Sequence, residues 1–209
     1  MARNKNRPGR GSVRRRAPVL GFLERGGGPV LVVGLGNPGR KYRSTRHNAG
    51  QMAAELLVER GALLARSRWP DGELALIEAA GMRFLVLKPC TFMNESGRAV
   101  AQVLKTYGLD PNSIVVIHDD IDVPLGDVRV KHSGGTAGHR GLESLVRETG
   151  GRGFARVRVG VGRPPEGVDP AEYVLRGFPA EELEQARDSV EKAARAALDL
   201  VSGAQSGSG

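Results

Sequence analysis

The chain has 209 residues, 40% of them hydrophobic, which suffices for one ordinary domain with a real core. Its single cysteine, Cys90, excludes an intrachain disulfide and suits a reducing cytosol; no apolar run reaches the roughly 20 residues that span a membrane. The net charge of +8 is concentrated at one end: residues 1–28 carry eight of the 31 basic residues and one of the 23 acids, which leaves the rest at +1, so any nucleic-acid site in the body is a local patch.

Residues 1–28 read as a disordered basic extension. The apolar stretch from Ala17 to Leu23 follows arginines, as in a signal peptide, but contains Pro18 and Gly21 and leads into three glycines without a cleavage pattern. An Arg-rich, acid-poor segment also fits a transit peptide.

The body is expected over 29–201. Val30 to Val33 is a continuous apolar run closed by glycine, the pattern of a buried parallel strand. A loop rich in Gly, Asn and Pro follows, then a helix carrying Ala49, Met52, Ala53, Leu56 and Leu57 on one face, with Asn48 and Gln51 placed as a capping box and Gly61 as its stop. Residues 62–88 read as two or three strands with a hairpin at Gly81. A second helix runs from about Ser96 to Gly108. Ile114 to Ile117 is the next buried strand, and Val128 and Val130 mark another. Gly134-Gly135 precedes a third helix over about 138–148. Val157, Val159 and Val161 alternate with Arg156, Arg158 and Gly160, giving a strand with one basic or open face. A loop begins at Pro164-Pro165. The last helix spans about 180–201, before a flexible end over 202–209. This alternation predicts a single-domain α/β sandwich with a central mixed, mostly parallel sheet flanked by helices.

Five polar segments could carry chemistry, and all follow strands, where the loops of such sheets build sites. Gly34-Leu35-Gly36-Asn37-Pro38-Gly39 has the spacing of a dinucleotide loop, but no helix pattern starts at its third glycine; a glycine turn presenting Asn37 is preferred. Thr45-Arg46-His47-Asn48-Ala49-Gly50 places an imidazole just before a helix, as a surface or capping residue or as a general base. In Lys88 to Ser96, Asn94 either caps the next helix or holds a substrate carbonyl or water, and Phe92 and Met93 read first as core and second as substrate contacts. His118-Asp119-Asp120-Ile121-Asp122 ends a buried strand. One Asp orienting an imidazole needs less coincidence than a metal site there, since the spacing matches no calcium loop. Arg129-Val130-Lys131 and the loop up to Arg140 join a basic strand face to a helix N-terminus, an arrangement suited to phosphate. Aromatics are too few, at 4%, for base stacking to dominate. With no Gly-x-Ser-x-Gly elbow and no Cys/His pair in context, a hydrolase built on these residues uses water.

Together and in order, these segments resemble the bacterial peptidyl-tRNA hydrolase family. The matching pieces are Val-Gly-Leu-Gly-Asn-Pro-Gly (33–39), Tyr42, Thr-Arg-His-Asn-Ala-Gly (45–50), Lys-Pro-x-Thr-Phe-Met-Asn-x-Ser-Gly (88–97), His-Asp-Asp-x-Asp-x-Pro-x-Gly (118–126), Gly-His-x-Gly-Leu (138–142) and Val-Gly-x-Gly-Arg-Pro (159–164). The resemblance implies an enzyme that hydrolyses the ester between a peptide and the 3′ end of tRNA, recycling tRNA from stalled translation, as a cytoplasmic monomer without metal or organic cofactor. By position it implies His47 as the base, Asp119 as the carboxylate orienting it, and Asn37 and Asn94 as amides that place peptide and water. It makes Tyr42, Phe92, Met93 and Arg140 candidate substrate contacts, and Arg129, Lys131 and Arg156 candidate contacts to tRNA phosphates. Arg140 stands where the family usually carries Asn. An RNA-binding module on the same fold and a dinucleotide-binding enzyme are the alternatives.

Overall fold

The computed structural model describes residues 30–206; the basic extension and residues 207–209 lie outside it. Seven strands form one mixed sheet, ordered β2-β3-β4-β1-β5-β7-β6: β1 (Leu31–Gly34), β2 (Ala62–Trp69), β3 (Gly72–Ala79), β4 (Met82–Pro89), β5 (Ile114–Asp120), β6 (Val128–Lys131) and β7 (Ala155–Gly160). The four central strands, β4, β1, β5 and β7, are mutually parallel. The edges are antiparallel, through the β2-β3-β4 meander on one side and β6 against β7 on the other.

Both faces of the centre are covered, which is why β1 is apolar at every position. Val32, Val86, Val115, Ile117 and Val157 pack under α1 (Ala49–Arg60) and α5 (Leu183–Ser206). Leu31, Val33, Leu85, Leu87 and Val116 pack under α2 (Ser96–Tyr107) and α3 (Arg140–Thr149). Each such side chain, buried almost completely, stabilises the fold by roughly 1.5–3 kcal/mol.

The glycines of the first loop serve packing. A Cβ on Gly34 would lie 2.5 Å from the Gly50 carbonyl oxygen, and one on Gly50 would lie 2.2 Å from that of Ile117. These contacts let α1 start directly against the tips of β1 and β5. Gly39, at φ 101°, leads into a single 3₁₀ turn over Arg40–Tyr42, so the loop lacks the helix N-terminus that a dinucleotide site requires.

Three expectations need correction. Asn48 does not close a capping box: its Oδ1 accepts from the Asn37 N–H at 2.9 Å and its Nδ2 donates to the Asn37 carbonyl at 3.0 Å, tying the helix start to the first loop. The loop after Pro165 contains a short helix, α4 (Pro170–Val174), begun by Asp169 as cap and Pro170 at the first position. The last helix is preceded by a 3₁₀ turn over Ala180–Glu182 and continues to Ser206, five residues past its expected end, so 202–206 are helical.

Candidate active site

The carboxyl ends of β1, β4 and β5 open into a cleft of about 560 Å³ lined by Asn37, Tyr42, His47, Phe92, Met93, Asn94, Asp119, Arg140 and the first residues of α4, among others. Eight of the eleven candidate residues thus meet in one place. At its floor Asp119, the penultimate residue of β5, is buried. His47 comes from a 3₁₀ turn over Arg46–Asn48 that precedes α1. Its Nδ1 lies 2.8 and 2.9 Å from the two Asp119 carboxylate oxygens. A nitrogen so placed carries the proton and donates it, which leaves Nε2 with its lone pair at the cleft.

A second imidazole, to which the sequence reading gave no role, shares the same carboxylate. His139 Nε2 lies 3.0 Å from Asp119 Oδ1, and His139 Nδ1 accepts from the backbone N–H groups of Gly141 and Leu142 at 3.1 and 3.3 Å, capping α3. With Nδ1 accepting, the proton must sit on Nε2 and point at Asp119. The two rings therefore differ: His139 has both nitrogens committed, whereas His47 has one free. The signal was present in Gly-His-x-Gly-Leu, because a histidine directly before a helix can cap it through one nitrogen and present the other.

Burial alone would raise the Asp119 carboxyl, but the two imidazoles, His47 first and His139 second, outweigh it and hold the group well below the usual carboxylate range. The three ligand-type atoms of His47, Asp119 and His139 lie within 4.8 Å of one another. The His139 nitrogen nearest Asp119 bears a proton, however, so this cluster is a shared hydrogen-bond network and not a set of converging lone pairs.

His118, one residue before Asp119, is buried and meets the His139 ring edge-on at 4.8 Å. Its Nδ1 lies 2.7 Å from the Asp119 carbonyl and donates to it, while its buried Nε2 has no partner among the described residues. Desolvation, aided by His139, pushes its pKa down to about 3, so it is a neutral wedge behind the network.

Asn37 uses Oδ1 to accept the Met93 N–H at 2.8 Å, which locks the first loop to the turn bearing Asn94 and leaves its Nδ2 as a donor at the cleft. Asn94 is exposed there and does not cap α2. Phe92 is 55% exposed at the rim, whereas Met93 is buried in the core beneath it and reaches the cleft with one edge. Arg140, the first residue of α3, is exposed on the opposite wall.

The basic strand pair is outside the cleft. Arg129 and Lys131 are exposed on edge strand β6 and pair in register with Arg158 and Arg156 of β7, so all four share one sheet face. Arg156 is misassigned as a phosphate contact: it is 2% exposed, its guanidinium donates to the carbonyls of Gly134 and Gly135, and it stacks on Phe154. It braces the glycine loop that forms part of the cleft wall. Of the other two acids of the motif, Asp120 bonds Arg158 at 2.7 Å and Asp122 bonds Arg163 at 2.6 Å.

The family model described as peptidyl-tRNA hydrolase matches residues 31–207. The peptidyl-tRNA hydrolase of Frankia alni is 47% identical over 171 residues, covering 78% of this chain and 87% of that protein. That of Mycobacterium tuberculosis is 46% identical, covering 78% and 90%. The crystal structure of the Acinetobacter baumannii peptidyl-tRNA hydrolase superposes with a TM-score of 0.77 at 34% identity, over 84% of this chain and 89% of that one.

Proposed function

The chain belongs to the peptidyl-tRNA hydrolase family, and on that footing we propose that it hydrolyses peptidyl-tRNA with His47 as general base and Asp119 as the group that orients it. The observation that carries this reading is the placement of His47 Nδ1 against both oxygens of a buried carboxylate, with Nε2 left at the cleft.

A water held between Nε2 and the amides of Asn37 and Asn94 gives its proton to His47 as its oxygen attacks the ester carbonyl carbon. Donors such as the Asn37 Nδ2 then face the tetrahedral oxyanion. When the bond to the ribose oxygen breaks, the His47 imidazolium returns the proton to that oxygen, so the products are a free carboxylic acid and tRNA with its hydroxyl restored. Protonation at Nε2 makes His47 a cation, and the fixed Asp119 charge stabilises it where it forms. His139, held by a helix start, keeps the carboxylate from turning. Tyr42, Phe92, Met93 and Leu175 offer apolar surface to the peptide and the terminal base. Arg140, with which no acid pairs among the described residues, Arg129 and Lys131 supply positive charge for the acceptor end.

The decisive assay is release of N-acetyl-amino acid from N-acetyl-aminoacyl-tRNA, with unblocked aminoacyl-tRNA as control. His47→Ala is expected to lower turnover by about 10²–10⁴-fold, the usual worth of a general base, with tRNA binding retained. Wild-type turnover in that variant removes His47 from the mechanism, and tRNA binding without cleavage by the wild type favours an RNA-binding module.

A further inference from the structure

Arg46, the residue before the base, is 4% exposed, and nothing in the mechanism above uses it. Its guanidinium lies between two rings, 4.3 Å from the centre of Tyr173 and 5.0 Å from that of Phe178. It donates to the Gly177 carbonyl at 2.6 Å and the Arg176 carbonyl at 3.4 Å, and pairs with Glu182 at 2.7 Å. The backbone repeats the connection: the Arg46 N–H donates to the Arg176 carbonyl at 3.1 Å, and Thr45 bridges Gly177. Tyr173 lies within α4 and the other partners follow it in the chain, and Pro170, Ala171, Val174 and Leu175, from α4 and its C-terminal cap, form a wall of the cleft. Tyr173 anchors that wall in turn, donating from its hydroxyl to the Val161 carbonyl just past β7 at 3.0 Å.

His47 thus stands between two residues whose side chains are spent on distant parts of the chain. Asn48 holds the first loop on one side, and Arg46 holds the α4 wall on the other. A buried arginine is a poor way to gain stability, because its desolvation offsets most of what its ion pair returns. It is an effective way to fix geometry, since a planar fork sandwiched by rings and bound to three acceptors admits one position. We propose that Arg46 is a positioning residue: a latch that sets the His47 turn in register with the α4 wall, so that a peptide lying against Val174 and Leu175 presents its ester to Nε2. This rests on His47 being the base.

The test is Arg46→Lys, which keeps the charge but can neither fork across the three acceptors nor lie flat between the rings. Three quantities are read: kcat and KM on N-acetyl-aminoacyl-tRNA, thermal stability, and the downfield proton resonance of the His47 Nδ1–H in its bond to Asp119. Displacement of a reacting group by about an ångström is worth up to 10²-fold in rate, so kcat should fall about 10- to 100-fold. KM should stay within about threefold, the pattern of an interaction felt in the transition state alone. The Nδ1–H resonance should shift or broaden while the protein remains folded. Unchanged kcat, a loss confined to KM, or a kcat loss with the resonance unmoved each overturns the proposal. If Arg46→Lys fails to fold, Glu182→Gln, altered on the outer side of the clamp, should show a smaller kcat loss with the same spectral change, and wild-type behaviour there overturns it. His47→Ala in parallel separates the two readings: an inactive His47→Ala beside an unimpaired Arg46→Lys sinks only the latch, whereas an active His47→Ala sinks the base itself.

Discussion

His118 gives the fold a built-in sensitivity to acid that can be worked out and measured. The ring is fully buried, and its folded pKa of about 3 lies well below the ordinary 6.5. A histidine lowered by folding contributes stability that is complete above its unfolded value and is lost as the pH falls from about 6.5 towards 3, because the unfolded chain takes up the proton first. Each pH unit in that window is worth about 1.4 kcal/mol, so between pH 7 and pH 5 the group should cost the fold about 2 kcal/mol. Asp119 does not confuse the measurement: its folded carboxyl is depressed, so its contribution is intact above the ordinary 3.8 and fades only below it. The comparison is with His118→Asn, whose side-chain amide can keep the donor to the Asp119 carbonyl but cannot titrate. Urea unfolding, followed by the single tryptophan, Trp69, which stacks on Tyr107 at 6.1 Å, gives the stability of both proteins at pH 7, 6 and 5. The variant starts lower, for its lost volume, but its stability should fall less steeply. Parallel pH profiles for the two proteins would refute the buried, neutral assignment of His118.

Three further outcomes follow from the geometry. Asp119→Asn removes the charge that holds the His47 tautomer and should lower turnover by about 10²–10⁴-fold in the same release assay, while tRNA binding persists. Gly97→Ala drives a Cβ to within 2.1 Å of the Ser144 carbonyl oxygen, where backbone meets backbone between α2 and α3; it should destabilise by about 1–3 kcal/mol in denaturant titration. Arg129→Ala and Lys131→Ala, both exposed on β6, should each weaken tRNA binding and flatten the slope of log affinity against log salt by about 0.7–0.9 per lost phosphate contact, without altering kcat.

Much of the centre was legible because it depends on local pattern. Apolar runs gave the buried strands, helical spacing with terminal glycines gave α1 and α2, and helical spacing alone gave most of α5. The residue types at the strand tips pointed to a base beside a carboxylate. What stayed hidden depends on partners far away in the chain. Arg46 meets its carbonyl acceptors 130 and 131 residues on, and no periodicity encodes such a contact. Asn48 has the composition of a cap, yet its oxygen is taken by a loop eleven residues back. Arg156 alternates as an exposed strand residue would, but the glycine loop folds over it and supplies carbonyls. Helix α4, at five residues, is too short for periodicity to register, although Asp169-Pro170 marks its start.

The arrangement around Asp119 also explains how two histidines on one carboxylate can differ in chemistry. In isolation the rings are equivalent, and either could take a proton. The difference is imposed by α3, whose first free N–H groups need acceptors and find one in His139 Nδ1. With Nδ1 accepting from those N–H groups and Nε2 donating to Asp119, His139 has no lone pair left to offer the cleft. His47 faces no such obstacle: its free nitrogen opens on the cleft, and its other nitrogen already leans on a negative charge. A capping interaction of an ordinary kind thereby divides the labour, leaving one imidazole as a fixed donor and the other as the one positioned to cycle a proton.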